Sequence, residues 1–599
     1  MGDPILARLP AMQLSGLMPH VTTRQIKAGE YLFQPGEEAR SVFLIRDGRV
    51  LLDGARGQSL RDHGYIGIEA MLGSASYADA ARAQIDTTVL VLPATRMTEL
   101  ANRQRDIREL FFRSYASPAT GSDKTNPTPP AAESWAPLLG WLMAIALPAC
   151  IYWIAPSWGL SPTATDFLAI IAATICMWLF SLVPEYVPPL FAALAMILLD
   201  VAPAAQVLSG FRSESFFASL SIFGIGALMV TSGLTYRFSL WVLSRVPETP
   251  TGYNLSLFGI GALLSPIIPS VLGRVSIVSP FLIELIQASN AGARDIFANR
   301  LIFSLVSGAS VLVPLFLTAA VPNLVIYGLF DAQTQYAFGW LAWLQAALVF
   351  GACVLASFWI VSVICFRGAR RFSVPRQTIA AQRRVLGPIS RLEWAALLSV
   401  VAMMVGILTE QSHRIDVAWV ALAVFVTLLL FGTMNREAIR AQIDWPILIY
   451  LGAIVGWVPA ATITGLDQVI IGHLAWLGAH MRADFPLFVL QVSGMILLVR
   501  LALPTGVTVI LFATALFPLA MAQGMSLWVI GFIILAVADT YVFPYQSSYF
   551  LKLRSDLAQQ GLDQICDMPR LIIANLALIA LRIGAIYASL PYWQGLDLL

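Results

Sequence analysis

The sequence predicts a multi-span α-helical membrane protein, with about eleven spans, two re-entrant hairpins and an inverted repeat, preceded by a soluble β-roll domain. Three observations predict it. Of the 599 residues, 58% are hydrophobic and only 12% charged, far more apolar surface than a water-soluble core needs. From residue 135 onward, apolar stretches recur that are long enough to cross about 30 Å of hydrocarbon. Two apolar hairpins, 258–283 and 487–520, break at helix-hostile tips, SPIIPSVLGR (265–274) and VRLALPTGVT (499–508). Interrupted helices at matching places in two halves of a membrane chain point to a transport site.

Residues 1–116 read as short β segments divided by Gly and Pro turns: QIKAGEYLFQPGE (25–37), SVFLIRDGRVLLDG (41–54) and TTVLVLP (87–93). Period-2 alternation with Gly at the corners predicts a small β-roll, closed by a helix over 94–115. No charged-then-apolar leader opens the sequence, so this domain is expected on the cytoplasmic side. Residues 117–134, SPATGSDKTNPTPPAAES, have the composition of a flexible or polyproline-like linker. A formal charge of +2, with no basic run interleaved with aromatics, leaves no nucleic-acid footprint. The five cysteines are scattered and odd in number, which indicates neither a disulfide framework nor a metal site. His413 and His473 stand in outer loops without a second ligand, so no metal is expected.

Spans are expected at 135–155, 164–183, 187–203, 215–236, 301–331, 336–366, 392–411, 416–433, 443–463, 526–545 and 569–591. They fall into two halves, 135–366 and 392–599, joined by a basic connector, 367–391. Inner loops hold Arg237, Arg245, Arg294, Arg300, the connector arginines, Arg436, Arg440, Lys552 and Arg554; outer loops hold little beyond Arg212, Arg414 and Arg482. This bias, with an odd span number, puts the N-terminal domain inside and the C-terminus outside. The segment 217–234 answers to 448–466, and each is followed by a helix, a hairpin and a second break, at 317–328 or 538–552. An odd number of spans per half inverts the second copy. The first tip then opens from the cytoplasm and the second from outside.

The N-terminal segment resembles the cyclic nucleotide-binding domain family through AGE (28–30), QPGE (34–37), LIRDGRV (44–50) and GIEAMLG (67–73). The resemblance implies a phosphate cassette opening at Gly67, with Glu69 taking the ribose hydroxyl. The family's arginine falls at Asp79 here, where a carboxylate repels a phosphodiester. Arg82, three residues on, substitutes only if the loop is rebuilt. Two readings stand side by side: an atypical ligand such as a cyclic dinucleotide in place of a cyclic nucleotide, or a ligand-free regulatory and assembly module.

Residues 135–599 resemble the divalent anion:sodium symporter family, through the hairpins together with WLFSLVPEYVPPL (178–190), SGF (209–211), IDWPILIYLGA (443–453) and FPYQSS (543–548). The resemblance implies a homodimer in a bacterial-type inner membrane. Within it, a transport domain of hairpins and broken helices moves as an elevator against a fixed scaffold, with the substrate held between the two tips. Family tips carry Ser-Asn-Thr; this chain has Ser270-Val271-Leu272 and Thr505-Gly506-Val507. Both asparagines are gone, which removes neutral oxygen ligands that a hard cation needs and weakens sodium as the coupling ion.

Against these losses stand Arg274, Arg500 and Asp539, charges where lipid penalises them. Either arginine is expected to supply the fixed positive charge that bound sodium supplies in relatives. Asp539 is the coupling candidate, as a protonation site or as the partner of an arginine. The expected substrate-binding residues are Ser270, Arg274, Asn323, Arg500, Thr505, Thr508, Gln546, Ser547 and Ser548, although polar groups at the second breaks equally repair unsatisfied helix ends. Glu185, in a short inner turn, reads as a solvated cap. No nucleophile–base constellation or phosphate loop appears, so an enzyme is not expected. The reading is an elevator-type secondary transporter of small di-anions, dicarboxylates first, sodium-independent and regulated by its N-terminal domain. The alternatives are a sulfate or inorganic anion transporter, or a transporter-derived receptor without net flux.

Overall fold

A computed structural model describes most of residues 21–94 and 135–599, with short internal stretches, the longest 369–387, outside the description. The expected helix over 94–115, the linker 117–134 and most of the connector 367–391 therefore lie outside the described residues. Contacts divide the chain into two compact units, Met1–Glu133 and Ser134–Leu599.

Among the described residues of the first unit, eight strands form two antiparallel sheets: β1 (Thr22–Ile26), β2 (Tyr31–Phe33), β3 (Ser41–Asp47), β4 (Val50–Gly54), β5 (Gly57–Arg61), β6 (Gly64–Ile66), β7 (Ala80–Ala83) and β8 (Thr87–Pro93). One sheet has the order β1-β8-β3-β6 and the other β2-β7-β4-β5. Residues of facing strands fill the interior, with Val42, Val50, Ala81, Val89 and Leu92 fully buried, as expected of sheets packed face to face. The β3–β4 corner needs glycine: Gly48 has φ +117°, and a Cβ there would lie 2.4 Å from Thr87 Oγ1.

The second unit is helical. Its main helices are α1 (Ala136–Ile154), α2 (Pro162–Leu179), α3 (Val187–Leu198), α4 (Glu214–Thr231), α5 (Leu234–Arg245), α6 (Pro250–Leu264), α7 (Val271–Ala288), α8 (Ile296–Ser310), α9 (Val321–Gly328), α10 (Trp340–Cys365) and α11 (Arg391–Leu408). They continue with α12 (Val417–Leu430), α13 (Trp445–Ile454), α14 (Trp457–Thr464), α15 (Leu466–His473), α16 (Ala475–Ala483), α17 (Phe485–Arg500), α18 (Thr505–Gln523), α19 (Leu527–Ala538), α20 (Ser548–Gln559) and α21 (Met568–Gly595). Among the described residues, nine helices are long and apolar enough to cross a membrane, and four shorter apolar ones join them. Large side chains such as Trp135, Ile145, Trp153, Ile364, Leu398 and Leu430 stand exposed, the arrangement of a protein whose outer solvent is hydrocarbon.

Four interruptions organise this unit. Short turns, 265–270 between α6 and α7 and 501–504 between α17 and α18, make the expected hairpin tips. Stretches without α-helix, 311–320 between α8 and α9 and 539–547 between α19 and α20, carry only short 3-10 turns and fall at the expected breaks. Pro322 sits in the first turn of α9, and Pro544 opens a short 3-10 turn inside the second break, positions where a missing N–H costs nothing. The first hairpin is held close to the helix before its break by facing glycines: a Cβ on Gly261 would meet Gly308 C at 2.7 Å, and one on Gly308 would meet Phe258 O at 2.3 Å.

Candidate functional site

Each tip is tied to the break that follows it by one buried arginine. Arg274 is fully buried. It donates to Ala309 O from Nε and Nη2 (3.0 and 2.7 Å), to Ala319 O (2.8 Å) and Ser265 O (3.4 Å) from Nη1, and also to Ile268 O. Arg500 repeats the construction, donating to Leu503 O in its own turn (2.6 Å), Ala538 O at the end of α19 (2.8 Å) and Thr540 O in the second break (3.0 Å). Interrupted helices leave carbonyls without intrahelical partners, and a guanidinium presents five donors in a rigid fork that gathers them.

Most other expected substrate ligands serve the same repair. Ser270 caps α7 by accepting from Gly273 N (3.1 Å), and Asn323 Nδ2 donates to Val313 O and Phe316 O (2.8 and 2.9 Å). Thr508 Oγ1 donates back to Pro504 O (3.0 Å). Gln546 accepts from Val542 N and Phe543 N and donates to Arg500 O. Ser547 caps α20 by accepting from Phe550 N (3.2 Å); Thr505 opens α18 and exposed Ser548 opens α20. Asp539 finds its partner in Arg582 of α21, at 3.7 Å, while Arg582 Nη1 donates to Asp539 O (3.2 Å).

What the two tips do not share is an open helix start. Beside the second tip lies a cavity of about 350 Å³, lined by Val321, Pro322 and Val325 of α9, Pro504, Gly506 and Val507 of the tip, Pro446, Ile447 and Tyr450 of α13, and the turns at Pro184–Tyr186 and Asp444. Four helices start at it: α13, capped by Asp444, and α3, α9 and α18, none of which has a side-chain cap. The first-turn N–H groups of α18 and the Val321 N–H of α9, where Pro322 has none and Asn323 N donates to Ala320 O (3.2 Å), together with the positive ends of the two dipoles, make an anion site. A third donor is independent of them: Tyr450 is buried, and its hydroxyl has no hydrogen-bond partner among the described residues. That hydroxyl stands 2.9 Å from where a Cβ on Gly506 would be, so glycine is what lets the tip approach it.

The rim is acidic. Trp178, whose ring lies 6.3 Å from that of Tyr450, donates to Glu185 O (3.0 Å) and fixes the 180–186 turn. Asp444 caps α13 by accepting from Ile447 N (3.3 Å). Desolvation, and then the Asp444 carboxylate, hold Glu185 above the ordinary carboxylate range. Tyr450, Glu185 and Asp444 were not among the expected ligands; the only signal was their place in 178–190 and 443–453.

In the first unit, Gly67 has φ +72°, and a Cβ there would lie 3.0 Å from the Tyr77 ring. Glu69 is half-buried. Arg82 lies on β7, exposed, donating to Gly29 O (2.9 Å) beneath the Tyr31 ring. Residues 71–75 and 78, between Glu69 and Arg82, lie outside the described residues.

The profile of the sodium:sulfate symporter transmembrane region matches residues 135–546, more than half of the chain, and that of the cyclic nucleotide-binding domain matches 23–104. The inner membrane protein YbhI of Escherichia coli is 24% identical over 328 residues, 53% of this chain and 68% of that protein. The citrate/succinate antiporter of E. coli is 23% identical over 338 residues, 55% of this chain and 67% of the antiporter. Dicarboxylate transporter 1 of spinach chloroplasts is 23% identical over 363 residues, 58% and 63% of the two chains. A solved cyclic nucleotide-binding protein of Geobacter metallireducens is 18% identical at a TM-score of 0.17, covering 19% of this chain and 86% of that one.

Proposed function

The chain belongs to the sodium:sulfate symporter family, with a cyclic nucleotide-binding domain ahead of its transmembrane region, and from that premise we propose that it exchanges small dicarboxylates across a bacterial-type inner membrane without sodium. The observation that carries this reading is the cavity where the uncapped starts of α9 and α18, beside that of α3, converge with the Tyr450 hydroxyl. Each helix start supplies about half a positive charge, so together they match one carboxylate. Relatives named as citrate/succinate and tartrate/succinate antiporters support organic acids as the substrate class.

Sodium independence follows from the arginines. Their guanidinium groups take up tip and break carbonyls that a bound cation would otherwise gather, and their charge is permanent. Asp539, facing Arg582, belongs to the second break rather than to coupling; exchange of one anion for another drives the cycle. The transport domain, made of the two re-entrant hairpins and broken helices in an inverted repeat, moves as an elevator within a homodimer, N-terminal domain in the cytoplasm and C-terminus outside. The cyclic nucleotide-binding domain regulates that movement, with a cyclic nucleotide or cyclic dinucleotide as ligand.

Uptake of radiolabelled succinate and sulfate into proteoliposomes preloaded with each anion tests the reading. Succinate counterflow that is unchanged when sodium is removed is the expected result. Sodium-driven uptake overturns the role given to the arginines, preference for sulfate overturns the substrate class, and binding without flux replaces the exchanger by a receptor.

A further inference from the structure

The cavity beside the second tip has no arginine or lysine among its described lining residues, and two carboxylates, Glu185 and Asp444, stand on its rim. Resting on the reading of this cavity as the dicarboxylate site, we propose that the protein binds and carries its substrate as the singly protonated mono-anion, with the ionised carboxylate at the helix starts and the neutral carboxyl group facing Glu185 and Asp444.

The charge balance leads there. The wall made by α9, α18 and Tyr450 offers two uncapped helix starts and a phenol, donors for one carboxylate. A dianion in the same pose would set its second carboxylate against two more, with the remaining walls largely apolar: Pro184, Pro322, Pro446, Ile447, Val507. Like charges a few ångströms apart in partly desolvated surroundings strongly disfavour joint ionisation. A protonated carboxyl group turns the repulsion into donation, because its O–H is the donor that an acidic rim accepts.

Other charged groups do not change the sign. Tyr186 of the neighbouring turn and Tyr450 of α13 are the other titratable groups lining the cavity. On α9, Tyr327 lies toward the far end and is bonded to Asp416; α18 carries no ionisable side chain. Arg500, ending α17, is committed to backbone carbonyls. Arg440, four residues before Asp444 in the sequence, is exposed to solvent.

The consequence is chemical as well as selective. Each succinate that crosses brings one proton on its own carboxyl group, so the proton travels with the substrate and needs no protonatable side chain in the membrane. Acid end groups that stay fully ionised, and inorganic dianions such as sulfate, are rejected at the rim.

Counterflow in proteoliposomes of the full chain tests this with three probes. Initial uptake of radiolabelled succinate at fixed total concentration is expected to fall about tenfold per pH unit above its second carboxyl titration, following the mono-anion. Glu185 also titrates, so a second probe removes the ambiguity: succinamate, which keeps one charge throughout and offers amide N–H donors in place of the carboxyl O–H, competes equally well across the series, while sulfate competes weakly at every pH. The variant Glu185→Gln/Asp444→Asn gains dianion uptake at high pH and flattens the profile. Uptake that tracks the dianion, or succinamate that fails to compete while succinate flux is intact, overturns the proposal and leaves the exchanger standing. Absence of flux for every anion overturns the exchanger as well.

Discussion

The two hairpin tips are built on one plan and finished differently. Both end beside an arginine that ties the tip to the next helix break through three or more carbonyls. At the first tip Ser270 then closes the start of α7, while Phe316, Ala319 and Ala320 pack with Val271 beside it. At the second, Pro504 offers no cap, and the start of α18 opens on a cavity that α9 and Tyr450 share. On the proposed reading the arginines belong to the frame, and function separates from frame at the tip whose helix start has no side-chain cap.

The largest expected effect falls on the frame, where the tips should behave alike. Arg274→Met and Arg500→Met each leave several buried carbonyls without a partner, at about 1–3 kcal/mol apiece. Both variants should lose most of their thermal stability in detergent, measured by intrinsic fluorescence. Arg500→Lys keeps the charge but not the fork and should recover only part. If Arg500→Met instead keeps its stability and loses only substrate affinity, that arginine is a ligand and the common plan is wrong.

The next effect should split the tips. Gly506→Val puts a branched side chain where a Cβ already comes within 2.9 Å of the Tyr450 hydroxyl, and should abolish succinate counterflow in a folded protein. Gly273→Ala at the first tip meets nothing closer than 3.4 Å and, inside a helix, should be neutral or stabilising by about 0.5–1 kcal/mol. Equal loss of flux in both variants would show that the first tip also faces substrate.

How far the sequence reveals this division can be argued from particular residues. Proline, glycine and serine at 265–270 and 501–506 announce the tips, because a helix cannot run unbroken through them and the apolar residues on either side keep the break at membrane depth. Arg274, Arg500 and Asp539 are visible as misplaced charges, yet not their partners: backbone carbonyls carry no side-chain signature, and Arg582 lies 43 residues from Asp539. Tyr450, Glu185 and Asp444 are ordinary in their own segments. Only the packing of α13 and the 180–186 turn against the second tip gives them a common role, and such packing is set by contacts between segments far apart in the chain.

A smaller change isolates the third donor. The Tyr450 hydroxyl has no partner among the described residues, so Tyr450→Phe should leave the melting temperature unchanged or slightly raised. A hydrogen bond to a charged ligand contributes about 1.5–3 kcal/mol, so succinate affinity, measured by thermal shift titration, should fall at least about tenfold. A drop in stability without a change in affinity would mean that the hydroxyl serves the fold.

The smallest effect is expected at the first tip. Ser270→Ala removes the cap of α7 and exposes Gly273 N–H, a loss of about 1 kcal/mol for a helix start. If Ser270 acts only as a cap, stability falls by that amount and succinate affinity and the pH profile of counterflow stay as they are. If it contacts substrate, affinity falls with stability, and the site extends across both tips. Thermal unfolding and counterflow on the same preparation separate the two outcomes. An unchanged affinity would leave the anion held by the second tip, α9 and Tyr450, with the first tip serving as the closed copy of the same design.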